Sequence, residues 1–335
     1  MKKTHLTAVL PLAVLCAALT AGCSAKQPYT HDSFTFDTFV SFKIYDTDGN
    51  ASAEEICTGA VGMLNKLDDM LSRTKSDSLI TRINNNAYSS AVDVDQATYN
   101  LLKSCAELSD LTDGAFDITL GNISDMWGFG RENTVKPDDA ELKSLAGKQN
   151  YRNVVFDDEK YTVSFSDNGF SLDLGAAAKG YAMDMLETYL RNSGVTSAVV
   201  DFGGSVLTIG ENNGESWNIT ITADETNASI GTLTVDEGYT ATSNGAKRYV
   251  EYDGVKYHHI IDPATAYPAD SGVKSCTVFS ASGLMSDALS TAFFVMGADK
   301  AKEFYDKYNI AEYIITLSDG KVIVSDGISA DFKAS

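Results

Sequence analysis

The chain has 335 residues, 44% of them hydrophobic and 10% aromatic, with only 5 Pro and with 26 Gly spread along its length. That composition excludes a disordered tail or a fibrous repeat and suits one large domain or two ordinary ones. A formal charge of −20 excludes a general binder of nucleic acid or anionic membrane surfaces, since such affinity rests on excess Lys and Arg.

Lys2 and Lys3, the apolar run from Leu6 to Leu19, and Thr20-Ala21-Gly22 before Cys23 have the form of an export signal. The segment resembles a bacterial lipoprotein signal, which implies cleavage after residue 22 and acylation of Cys23. The expected layout is a signal peptide over 1–22, a flexible tether over 23–32 and one domain over 33–335. The mature protein would be lipid-anchored at Cys23 on the extracytoplasmic face of the membrane, with its charge taken to −22 by the loss of Lys2 and Lys3. No later stretch is long and apolar enough to span a bilayer. Cys57, Cys105 and Cys276 then remain, each in an apolar pattern and without a C-x-x-C pair, so they read as buried free thiols.

Phe34, Phe36, Val40, Phe42 and Ile44 predict a half-buried strand. Ser52-Ala53-Glu54-Glu55 is a capping box ahead of a helix whose inner face carries Ile56, Ala60, Leu64, Leu67 and Leu71. Further helices are expected over Ala97 to Leu108 and Ala177 to Leu190. Val195 to Ile209 and Trp217 to Thr222 read as two strands around the turn Glu211-Asn212-Asn213-Gly214. Helices follow near Ser286 to Met296 and Ala301 to Tyr308, and a hairpin pairs Tyr313 to Leu317 with Val322 to Val324. Strands outnumber helices without a regular βαβ alternation, which points to an α+β fold with mixed or antiparallel sheets.

Several common chemistries fail on the residues. Gly147-Lys148-Gln149 lacks the hydroxyl of a P-loop, and no G-x-G-x-x-G occurs. After export only His31, His258 and His259 remain, too few and too awkwardly placed for a histidine zinc site. Ser72-Arg73-Thr74-Lys75 and Ser166-Asp167-Asn168 match two motifs of penicillin-binding enzymes, but the K-T-G element is missing.

Four clusters carry the remaining information: Asp113 to Thr119 with Trp127-Gly128-Phe129-Gly130; Asp173 to Tyr181; Asp201-Phe202-Gly203-Gly204; and Tyr257 to Pro263 followed by Ser286 to Thr291. The second passes from a strand into a helix start rich in small residues, where backbone N–H groups and Lys179 suit a phosphate. The third on its own reads as a bulge. Asp287 and Thr291, at i and i+4, share a helix face with Ser290 beside them, a carboxylate and hydroxyls that suit a hard cation such as Mg²⁺.

In this order the clusters resemble the FAD:protein FMN transferase, or ApbE, family. The resemblance runs from Phe36-Asp37-Thr38-Phe39-Val40 through Leu71-Ser72-Arg73 to Phe293-Phe294-Val295-Met296-Gly297 and covers about residues 34 to 310. It implies a T-fold-like architecture and an enzyme that uses FAD and Mg²⁺ to attach FMN through a phosphoester to a Ser or Thr hydroxyl of an acceptor flavoprotein, a subunit of an electron-transfer or respiratory complex, with release of AMP. By the same resemblance Ala176, Asp287 and Thr291 would hold the metal with Ser290 close by. Phe36, Thr74, Ala115, Phe116, Asp117, Asp173, Lys179 and Ile261 would bind FAD, and His259 would deprotonate the incoming hydroxyl, with His258 as its alternative. Phe36 stands where the family usually has Met, and Thr74 where relatives often have an aromatic, which bears on how the isoalloxazine is stacked. The other readings are a hydrolase that splits FAD into FMN and AMP, and a flavin-binding lipoprotein without turnover. Asp326 to Ala330 has a faint likeness to a flavin-accepting D-G-x-[ST] motif but is expected to be a turn.

Overall fold

The computed structural model describes residues 27–335 apart from 130, 132, 133, 148, 224–227 and 247. The signal peptide and Cys23 lie outside the described residues. In chain order the elements are β1 (Tyr29–Thr35), β2 (Thr38–Thr47), α1 (Ala53–Leu71), α2 (Leu79–Asn86), β3 (Val92–Asp93), α3 (Gln96–Leu111), α4 (Gly121–Trp127), α5 (Asp139–Leu145), β4 (Val154–Asp157), β5 (Thr162–Phe165), α6 (Ala178–Asn192), β6 (Val195–Phe202), β7 (Ser205–Ile209), β8 (Trp217–Thr222), β9 (Ser229–Val235), β10 (Gly238–Asn244), β11 (Tyr249–Tyr252), β12 (Val255–His258), β13 (Val273–Ser280), α7 (Gly283–Tyr308), β14 (Glu312–Leu317), β15 (Val322–Val324) and β16 (Phe332–Ala334). The fold is α+β. An eight-stranded antiparallel sheet in the order β1-β2-β6-β7-β10-β13-β14-β15 forms its centre.

One face of that sheet is covered by helices. Ser52 caps α1 through the expected box with Glu55, and Ile56, Ala60, Leu64 and Leu67 pack with α6 residues Ala182, Met183, Leu186 and Leu190 over Val40, Phe42, Val200 and Leu207. α7 lies over β10 and β13, and its Leu289, Phe293 and Phe294 enter a second core with α2, α3 and the small sheet β3-β5-β4. The opposite face carries the sheet β16-β9-β8, where Trp217, Ile219, Ile221 and Leu233 meet Ile314 and Val206. The β11-β12 ribbon folds with α4 and α5 around Trp127, whose Nε1–H donates to the Ala266 carbonyl. Cys57, Cys105 and Cys276 are buried free thiols.

Three expectations change. The single strand read through Phe34 and Ile44 is a hairpin, because Phe36 and Asp37 both adopt left-handed φ (52° and 55°) and turn the chain back in two residues. Residues 29–32, expected in the tether, are already paired in β1 with Ile44 to Ser41. Val195 to Ile209 is likewise a hairpin, turned at Gly203 and Gly204 (φ 66° and 93°). A side chain at Gly203 would run into Thr38, so this glycine also lets the two hairpin turns pack together. The C-terminal Asp326–Ile328 is a 3-10 turn, as expected.

Candidate active site

α6 begins without a side-chain cap of its own: Ala177 occupies the N-cap, and the Ala177 and Ala178 N–H groups both donate to the Leu174 carbonyl. The cap comes instead from α7. Asp287, 5% exposed, accepts the Gly180 N–H at 3.0 Å through one carboxylate oxygen, while Lys179 Nζ stands 3.4 Å from the other. α6 returns the contact. Asp184 accepts the Gly283 and Leu284 N–H groups at 2.6 and 2.9 Å and so caps α7; burial raises its pKa against these hydrogen bonds. The helices approach so closely that a side chain on Gly180 would collide with the Gly283 carbonyl and lie 2.7 Å from the Asp287 Cβ.

One turn further along α7, Ser290 and Thr291 present their hydroxyls to Ser243 of β10, at 2.8 and 3.0 Å. The buried Ser290 Oγ–H also has the Asp287 carbonyl at 2.8 Å. Asp287, Ser290, Thr291 and Lys179 are thus one cluster, and Ser243 and Asp184 belong to its frame although sequence reasoning gave neither a role. Asp184 lies three residues beyond the Asp173 to Tyr181 cluster, on the helix that cluster opens, and Ser243 stands apart from all four clusters.

The histidines divide clearly. His258 ends β12 with its ring edge-on to Phe294 at 5.3 Å, Nε2 3.1 Å from the Ala269 carbonyl and Nδ1 accepting the Ile260 N–H at 3.3 Å. Both of its nitrogens are engaged within the fold. His259 places Nδ1 3.0 Å from the Arg248 carbonyl, which can only accept, so Nδ1 carries the hydrogen and Nε2 the lone pair. Burial, helped by the charges of Arg248, His258 and Lys179, lowers the His259 pKa to about 4.

A second group flanks the first. Arg73 bridges Asp173 (Nε to Oδ2, 2.9 Å) and Asp125 (Nη1 to Oδ1, 2.9 Å), while Asp173 Oδ1 accepts the Gly175 N–H. Thr74, next to Arg73, is exposed and touches the Ser72 hydroxyl. The Asp173 N–H donates to Ile118, which ties the 115–119 turn to the same segment. Asp117 is spent within that turn on Thr119 and on the Tyr151 N–H, and burial raises its pKa. Phe116 puts its ring into the core at 1% exposure, which leaves Ala115 and the backbone as the accessible part of this stretch. Ile261 is buried beside Trp127, and Phe36 packs edge-on against Phe202. Gln149 lies on a loop bonded to both neighbourhoods, through the Tyr151 N–H to Asp117 and the Gly147 N–H to Pro263; neither of its buried amide atoms has a partner among the described residues. The Lys75 ammonium pairs with Asp68 and Asp69, and only the Lys75 backbone N–H reaches the Ser72 hydroxyl, which removes the penicillin-binding reading.

The fold and the cluster together define an α+β protein in which a buried carboxylate, two hydroxyls and a lysine meet where α6 and α7 cross. The chain belongs to the ApbE family, whose pattern matches residues 36–315. It is 30% identical to the FAD:protein FMN transferase of Treponema pallidum over 94% of this chain and 92% of that one. It is also 30% identical to the Vibrio cholerae protein of the same name, over 92% and 93%. Among solved structures, the Thermotoga maritima ApbE protein superposes with a TM-score of 0.84 at 32% identity, covering 91% of this chain and 99% of that one. The Vibrio cholerae flavin transferase ApbE superposes with a TM-score of 0.81 at 28% identity, covering 92% and 99%.

Proposed function

We propose that this protein moves FMN from FAD to a Ser or Thr hydroxyl of an acceptor flavoprotein and releases AMP. The observation that carries the reading is His259: a neutral imidazole whose Nδ1–H is fixed by the Arg248 carbonyl and whose Nε2 has no partner among the described residues. In the proposed step Nε2 takes the acceptor's hydroxyl proton, the oxygen bonds to the flavin-side phosphorus, and the bond from that phosphorus to the bridging oxygen breaks so that AMP departs. Lys179 faces the negative charge that develops on the phosphate oxygens. The half-buried Ala115, Phe36 and the Ile261 region flank the flavin, and Gln149 offers the paired donor and acceptor that a flavin's pyrimidine edge requires.

The donor set fits Mg²⁺. Ala176 through its carbonyl, Asp287 and Thr291, with Ser290 adjacent, offer hard oxygens only, and among the described residues no trio of His, Cys, Asp or Glu could hold a softer metal. A site this poor in charge suits an ion that completes its shell with water and phosphate oxygens. When bound, the ion would neutralise the pyrophosphate and help an acidic protein accept an acidic substrate.

The anchor at Cys23 would put this chemistry on the extracytoplasmic face, next to membrane-bound electron-transfer subunits. The test uses protein lacking residues 1–22 with FAD, Mg²⁺ and extracytoplasmic acceptor candidates. A flavin-fluorescent acceptor band should survive denaturing electrophoresis, and His259→Ala should slow its appearance by about 10²- to 10⁴-fold with FAD binding retained. AMP release at full rate without acceptor would make the protein a hydrolase, and no AMP release under any condition would leave it a carrier.

A further inference from the structure

Behind the helix-covered face, on the opposite side of the main sheet, lies a cavity of about 780 Å³. None of the residues assigned above to FAD, metal or proton transfer lines it. Its floor is the second face of β2, β6, β7 and β10 at Ser41, Asp201, Val206, Thr240 and Thr242, and its far wall is β8. Ile219, Thr220, Ile221 and Thr222 all line it. Consecutive side chains of a strand point to opposite faces, so four in a row can border one cavity only through the strand's edge. β8 pairs with β9 on one side and ends its sheet on the other. The groove therefore runs along a strand edge that pairs with no other strand among the described residues.

Three further features give the groove a direction and an occupant. At one end Phe39 lines it at 74% exposure, with its ring 5.3 Å from the 59% exposed Phe34, an aromatic pair of the kind that anchors protein partners. At the other end stand Ala246 and Tyr249, on the segment whose Arg248 carbonyl orients His259. Between them the main sheet has a notch. β7 pairs with β10 only over Gly238 to Thr240, since the chain turns away at Gly203-Gly204, and β10 continues to Asn244 without that neighbour. Along this stretch Thr242 faces the groove while Ser243 faces Ser290 and Thr291.

We propose that this groove is the acceptor-protein site: an extended segment of the acceptor lies along the free edge of β8, anchored by Phe34 and Phe39, and feeds its hydroxyl residue through the notch toward His259. The assignment rests on the transferase reading given above. Backbone pairing to a strand edge holds a segment in register without demanding much of its sequence, and side chains on alternate sides leave one free to enter the notch. The occupant is thus a strand-forming segment with an exposed Ser or Thr, and apart from Asp201 the groove's lining is uncharged, rich in Thr, Ser, Gly and Ile, which matches it.

The experiment uses the fluorescent acceptor identified by the gel assay. Phe39→Glu and Thr220→Arg both alter exposed side chains, so the fold should be kept, as circular dichroism would verify. Each should raise the KM for acceptor by at least tenfold, with kcat at saturation and the Kd for FAD unchanged. In a His259→Ala background, adding acceptor should slow hydrogen exchange at residues 217–222. An unchanged acceptor KM in both variants, or unaltered exchange in β8 with acceptor bound, overturns the proposal while transfer itself stands. A weakened Kd for FAD in the variants would assign the groove to the substrate's adenylate half instead. If the unaltered protein labels no acceptor at all, the transferase reading fails and takes the groove assignment with it.

Discussion

His258 and His259 are neighbours in sequence with opposite fates because β12 ends between them. The first is fixed by the Ala269 carbonyl and Phe294; the second hangs from the Arg248 carbonyl with Nε2 available. The alternation of side chains along a strand was readable beforehand, but which ring would be engaged depends on carbonyls 11 residues away in either direction. Burial and the neighbouring cations lower the His259 pKa to about 4, whereas an unfolded histidine titrates near ~6.5. Between those values the unfolded chain binds the extra proton, so this residue's contribution to stability is present above pH ~6.5 and is lost as pH falls toward 4. In the protein without FAD, the imidazole resonance of His259 should show its midpoint near 4 by NMR titration, and Lys179→Met should move it upward. A midpoint at or above 6.5 would refute this account of the environment.

Two glycines bring α6 and α7 together, and the cluster depends on their contact. Gly180→Ala places a methyl against the Gly283 carbonyl and the Asp287 Cβ, in helices that cap each other through Asp184 and Asp287. Overpacking of that kind costs about 1–3 kcal/mol, and relief by moving α7 would displace Asp287. Urea unfolding should show the loss, and the Mg²⁺ concentration for half-maximal transfer should rise with it; a stability loss without change in the metal requirement would mean that the crossing does not position the site. Gly62 is the control, since it is exposed inside α1 with nothing within 4 Å of an added Cβ. Gly62→Ala should stabilise by roughly 0.5–1 kcal/mol with no effect on Mg²⁺. The inner faces of α1, α6 and α7 were legible because 3.6-residue periodicity is a local property. Their crossing was not, because the small residues at the start of α6 carry no sign of the Gly283 carbonyl opposite until the two helices are seen together. The same limit explains the two hairpins taken for single strands. Alternation counts apolar positions and is blind to a two-residue reversal unless the turn residues declare it, and Phe36 in a left-handed conformation does not.

The candidate site draws on chain segments from Arg73 to Thr291, including the 115–119 turn, the 173–180 turn, β10, the residues after β12 and α7. Motif order made this convergence readable as a family likeness, yet the roles of Arg73, Ser243 and Asp184 became visible only once the segments met. A ligand shared by so many segments should stabilise the molecule as a unit. Binding restricted to the folded state adds about 2.7 kcal/mol at a ligand concentration of 100 times Kd, and for chains of 150–250 residues each kcal/mol moves Tm by roughly 2–4 °C. A Tm rise of about 5 °C or slightly less is therefore expected with saturating FAD and Mg²⁺. Mg²⁺ alone should do little, because the cluster supplies it one carboxylate, and FAD alone should do less than the pair, because a chain of net charge −20 meets an anionic substrate with few local cations. Asp287→Asn should remove the Mg²⁺-dependent part of the shift and leave the rest. If FAD raises Tm equally in EDTA, binding owes nothing to the ion, and Lys179 must hold the pyrophosphate unaided.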